Sequence, residues 1–96
     1  MSTHYIAILV PEKGGGWSVL FPDLPGCATH GRSVHEAITT AAGVASNWLA
    51  ATRKSGDQTP APRSYEDTRS DNAWAIDRGI DWSTAVVSLV QVDSAA

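Results

Sequence analysis

Residues 21–31 read Phe-Pro-Asp-Leu-Pro-Gly-Cys-Ala-Thr-His-Gly and bring a carboxylate, a thiol and an imidazole close together in sequence. Asp23, Cys27 and His30 are the residue types from which an activated thiol nucleophile is built. Spacing argues against it. Residues 27–30 read as a short strand, where positions three apart point to opposite faces. Cys27 and His30 then do not meet, and a general base needs its partner within hydrogen-bond reach. Cys27 reads instead as a small buried hydrophobe. Asp23, held between Pro22 and Pro25, reads as a turn residue that accepts local backbone N–H groups.

The other candidates for chemistry are weaker still. His4, His30 and His35 show no metal-ligand spacing. Gly14-Gly15-Gly16 could cradle phosphate only if a helix followed, and a strand follows. The sequence therefore predicts no catalytic, metal or cofactor residue, and no enzyme.

These residues are positioned by a small set of elements. HYIAILV (4–10) and WSVLF (17–21) read as strands, joined by a glycine-rich hairpin and stopped by Pro11 and Pro22. Ser33 and Glu36 form a capping box, with Ser33 reaching the Glu36 N–H and Glu36 reaching back to the Ser33 N–H. Apolar positions at three- and four-residue spacing then predict a helix over 34–55 with Gly56 as its stop. Its inner stripe is Ala37, Ala41 and Ala45, with Trp48 plugging one end. Residues 57–70 read as a polar connection, with a short helix possible at Ser64–Asp67. Trp74 and Ile76 are placed under the sheet edge and Trp82 near the next strand. TAVVSLVQV (84–92) reads as the last strand, and Asp93–Ala96 as a frayed tail.

The fold class is thus α+β, in the order β-β-β-α-β: three antiparallel strands plus a fourth, with one long helix on one face. A helical crossover predicts that the fourth strand runs parallel to one of the others. The chain reads as one domain, with a core of 4–56 and 84–92 and a connection at 57–83. Both sheet faces are apolar: Ile6, Ile8 and Val10 on one side of the first strand, Tyr5, Ala7 and Leu9 on the other. One helix covers one face. The second face, or an edge strand, is then covered by another subunit or a partner, giving a homo-oligomer (dimer or tetramer), unless residues 64–83 fold back over it.

The chain has 96 residues, one cysteine and a net charge of −3. The charge is uneven, with residues 1–55 slightly basic and 56–96 clearly acidic. Such a domain is a poor binder of phosphate backbones and suits a basic partner. No apolar run approaches the ~20 residues of a membrane helix. The start lacks the basic n-region of a signal peptide. A cytoplasmic location is expected, consistent with the lack of disulfides.

The series Tyr5-Ile6-Ala7, Trp17-x-Val19-x-Phe21-Pro22-Asp23-Leu24-Pro25-Gly26-Cys27, Thr29-x-Gly31, Ser33-x-x-Glu36-Ala37 and Pro60-x-Pro62 resembles the HicB family of type II antitoxins, in particular its N-terminal domain. That resemblance implies a partial, degenerate RNase H-like fold without catalytic carboxylates. It implies a protein that binds and masks HicA, a small basic mRNA-cleaving toxin, in a bacterium or archaeon. The candidate partner-binding residues are Tyr5, Trp17, Asp23, Leu24 and Pro25. The two prolines pre-set the loop, so presenting Asp23 and Leu24 costs little ordering entropy. Only four residues follow position 92, so no C-terminal DNA-binding module and no direct DNA binding are expected from this chain. The alternative is a stand-alone HicB-like oligomeric domain that binds another protein or a small ligand, with no toxin partner.

Overall fold

The alternating apolar run near the start forms a central strand, β1 (Ser2–Pro11). The computed structural model describes residues 2–93; the expected tail beyond Asp93 lies outside them. A tight hairpin over 12–16, closed by the Glu12 N–H to the Gly16 carbonyl, leads into β2 (Trp17–Leu20). β3 (Ala28–Gly31) follows, one residue later than the spacing predicts. Helix α1 spans Val34–Lys54, and β4 spans Val86–Asp93. The sheet order is β3-β2-β1-β4, and every neighbouring pair is antiparallel.

The expectation of a parallel fourth strand is therefore corrected. One helical traverse of the sheet would deliver the chain to β4 in the direction of β3. Here two further helices, α2 (Tyr65–Ser70) and α3 (Asn72–Asp77), take the chain back across the opposite face. Two traverses reverse the direction of arrival, and β4 runs against β1.

α1 starts where the capping residues place it. The Ser33 hydroxyl accepts the Glu36 N–H at 3.1 Å. Glu36 reaches back one residue further than a capping box requires, accepting the Arg32 N–H at 3.1 Å. Its end is a Schellman motif: the Gly56 N–H bonds the Arg53 carbonyl and the Asp57 N–H bonds the Thr52 carbonyl. The buried stripe is Ala37, Ala41, Ala45 and Leu49, one residue per turn. It packs on Tyr5, Ala7, Leu9, Val19, Val90 and Val92. The small side chains bring helix and sheet close. At β3 the approach is closest: a Cβ on Gly31 would lie 2.4 Å from the Ala37 backbone nitrogen.

The opposite face carries Ile6 and Ile8, and the strand pairing sets Leu20, Val87 and Leu89 beside them. Ile6 and Ile8 are fully buried within the single chain. Residues 63–80 thus fold back over the middle of this face, burying Thr68 of α2 and Ala75 of α3 with it. Another subunit is not needed to cover the centre of the sheet. Coverage stops short of the margin, where Leu89 remains 65% exposed. Ile76, expected under the sheet edge, points outward, while Trp74 is half-buried. Trp82 lies under the Arg69 guanidinium, 4.4 Å from ring centre to charge.

Candidate partner-binding surface

The Pro-Asp-Leu-Pro-Gly loop is two successive turns. The Leu24 N–H bonds the Phe21 carbonyl at 3.1 Å, and the Cys27 N–H bonds the Leu24 carbonyl at 2.9 Å. The second turn has Pro25 then Gly26 at its centre, and Gly26 has φ of +80°, the geometry of a type II turn. Between the turns Leu24 drops into the α1-side core with no exposed surface. The Trp48 indole N–H donates to the Pro25 carbonyl at 3.1 Å, pinning the loop to α1. Trp48 is half-buried, so it clamps the loop as well as closing the core.

Asp23 does not accept the local backbone N–H groups expected of it but reaches across the fold. Its carboxylate accepts the Arg63 backbone N–H at 2.7 Å and the Arg63 Nε–H at 2.5 Å, forty residues away. Arg63 Nη1 reaches Asp71 at 3.1 Å, and Asp71 also caps α3 by accepting the Trp74 N–H. The bond to Asp23 holds the Arg63 guanidinium more firmly protonated than usual, with Asp71 adding to it. The Trp74 N–H, and then Arg63, hold the Asp71 carboxyl below its ordinary range. Asp23, Arg63 and Asp71 thus form one clasp that fastens the α2–α3 layer to the loop. Sequence reasoning missed Arg63. Its signal was position alone: a cation between Pro62 and the capping Ser64, where no solvated helix face exists to hold it.

The five residues expected at a partner surface separate here. Tyr5 and Leu24 belong to the core, and Asp23 is buried against Arg63, so none of the three offers free side-chain surface in this structure. Trp17 is half-buried and Pro25 is exposed. Cys27 is buried, which pushes its thiol pKa up, and His30 stands exposed, on the far side from it by strand pairing with Ser18.

The Tyr5 hydroxyl donates to the Pro60 carbonyl at 2.6 Å, tying the exit of α1 to β1. Burial, then the nearby Asp23 charge, raises its pKa above 10. A raised phenol contributes stability that is complete below the unfolded value, about 10, and is lost as pH rises through the folded value. Alkaline unfolding followed by circular dichroism is expected to begin above pH ~10, and Tyr5→Phe to flatten that limb at some cost at neutral pH. An unchanged alkaline limb in Tyr5→Phe would remove this role.

The exposed surface has two distinct parts. One is a mixed open groove in which Ile6, Tyr65, Val87 and Leu89 are flanked by Arg63, Ser64 and Ser88. The other is acidic. Residues 64–83 carry five carboxylates against two arginines, and Glu66, Asp67 and Asp77 are exposed. Among the described residues, no group of three His, Cys, Asp or Glu side chains stands close enough to hold a metal ion. No helix among them is long and apolar enough to cross a membrane.

Several solved structures share this architecture. A chain of a toxin–antitoxin complex from Streptococcus pneumoniae superposes with a TM-score of 0.77 at 23% identity, covering 98% of this chain and 71% of that one. The Burkholderia pseudomallei antitoxin HicB gives 0.73 at 20% identity, covering 95% of this chain and 64% of that one. A chain of the HicA3 and HicB3 toxin–antitoxin complex gives 0.68 at 19% identity, covering 95% of this chain and 99% of that one. At these identities the likeness establishes the fold. No curated protein matches the sequence. The family model described as HicB-like antitoxin of bacterial toxin–antitoxin systems matches residues 5–96. The match spans strands, loop, clasp and α2–α3 layer alike, and the chain belongs to the HicB-like antitoxin family.

Proposed function

We propose that this antitoxin works by binding and masking a small basic, mRNA-cleaving toxin of the HicA type, in the cytoplasm, as a homo-oligomer and without catalysis of its own. The observation that carries this reading is the family match over residues 5–96. The charge distribution favours the α2–α3 layer as the contact surface. The exposed carboxylates Glu66 and Asp67 stand in the first turn of α2, and Asp77 ends α3. A basic protein is drawn to this layer by complementary fields, which speed encounter and exclude acidic competitors. Pro25 and the half-buried Trp17 stay available as rim contacts.

Co-expression with a HicA-type toxin encoded beside the gene is expected to restore growth and yield a stable complex. Glu66→Lys/Asp67→Lys is expected to weaken that complex about tenfold or more, chiefly by slower association and with a smaller salt dependence. Its circular dichroism is expected to match the parent, since both side chains are exposed. Absence of a complex with such a toxin would overturn the reading. Unaltered affinity in the charge-reversed variant would move the contact off α2.

A further inference from the structure

The two margins of the sheet differ. β3 is four residues long, and α1 packs against its end at Gly31. β4 is eight residues long, pairs with β1 over eight consecutive positions, and has nothing on its other side in the described chain. Its residues 86–92, Val-Val-Ser-Leu-Val-Gln-Val, hold no charge, proline or glycine. Edge strands are normally guarded by lysine, proline, a bulge or shortness. β4 has none of these guards over 86–92. It also carries Leu89, 65% exposed, beside Tyr65 at 45%.

We propose that β4 pairs antiparallel with β4 of a second copy across a two-fold axis at Leu89, joining the two sheets into one of twice the width. This rests on the self-association part of the proposed function and gives it a surface. Charge selects the occupant. A basic toxin is recognised by carboxylates, and these lie on α2 and α3, whereas 86–92 is neutral and offers a basic strand nothing to select. A second copy meets like with like. In an antiparallel pair, directly opposed residues share a face. A two-fold at Leu89 therefore sets Leu89 against Leu89 and Val87 against Gln91, with no charge opposing another over 86–92. The two leucines cover each other at the place where residues 63–80 leave the face open.

Light scattering on the full chain at micromolar concentration tests this. The expected mass is twice the 10.1 kDa of one chain. Leu89→Lys is expected to halve it with unchanged circular dichroism. Leu89→Cys is expected to form an intermolecular disulfide under mild oxidation, and this decides the matter should the lysine variant fail to fold. A monomer in the parent protein overturns both self-association and this surface. A dimer that ignores Leu89→Lys, or whose Leu89→Cys form does not cross-link, overturns this surface and leaves self-association standing. Toxin binding is read separately, so its failure does not affect the result.

Discussion

Gly31→Ala is expected to be the most damaging single-methyl change in the molecule. The added Cβ would lie 2.4 Å from the Ala37 nitrogen, 2.5 Å from its Cα and 2.8 Å from its Cβ. Two of those three atoms are backbone in the first turn of α1, held by the Ser33 cap and the Ala37 N–H bond to the Ser33 carbonyl. Neither side can yield by a rotamer change, so β3 and α1 must separate. Overpacking of this kind costs about 3 kcal/mol. For a domain of this size that is a fall of about 10–20 °C in Tm. Gly43→Ala is the control. It sits in the same helix with no atom within 4 Å of the added Cβ. It is expected to stabilise by about 0.5–1 kcal/mol through helix propensity and a less flexible unfolded chain. Thermal unfolding of both variants checks the pair. A Gly31→Ala protein as stable as the parent would show that helix and strand are not in the contact described.

Arg63→Ala is expected to be the second large effect. It removes the Nε–H donor from Asp23, whose side chain is 4% exposed, and the Nη1 donor from Asp71. A buried carboxylate without its cation is costly, whereas loss of both partners is cheaper. Arg63 keeps 34% of its side-chain surface in water, so solvent screens the pair, and the Arg63 backbone N–H still serves Asp23. A loss of about 2 kcal/mol is expected, below the range for fully buried pairs. Urea unfolding of Asp23→Ala, Arg63→Ala and the double variant is expected to give a cycle in which the double loses less than the two singles together. Limited proteolysis is expected to cut the Arg63→Ala protein faster within residues 57–63. Strict additivity would mean that the clasp is geometry without coupling.

The elements that sequence could reveal were those whose determinants are local. The Ser33–Glu36 spacing, the one-per-turn alanines and the Pro-Gly turn residues each specify their own conformation within a few positions. The alternation Tyr5-Ile6-Ala7-Ile8-Leu9 correctly announced two apolar faces. The α2–α3 layer was only partly legible: the Ser64–Asp67 spacing marked the start of α2, and a fold-back of residues 64–83 stood as the alternative, but α3 gave no signal, for a physical reason. Six residues hold fewer than two turns, too few for a periodic stripe, and each of these helices buries one residue, Thr68 and Ala75 respectively. With the second traverse unread, a reading from pattern counts a single one and assigns β4 the wrong direction. Of the expected partner-contact residues, Tyr5, Asp23 and Leu24 turn inward for a related reason. Asp23 and Leu24 stand out because their loop is rigid, but rigidity in sequence does not say whether a side chain faces water, core or a residue forty positions on.

Adjacent residues of one short loop face in opposite senses: Leu24 is sunk among the α1-side apolar groups, and Asp23 grips the strap that lies over the other side. They tie the two layers together at one end of the sheet. Each apolar layer of so short a chain is too thin to persist alone. With that tie in place, one layer peels away only by straining the other, and the antitoxin is expected to melt as a single cooperative unit.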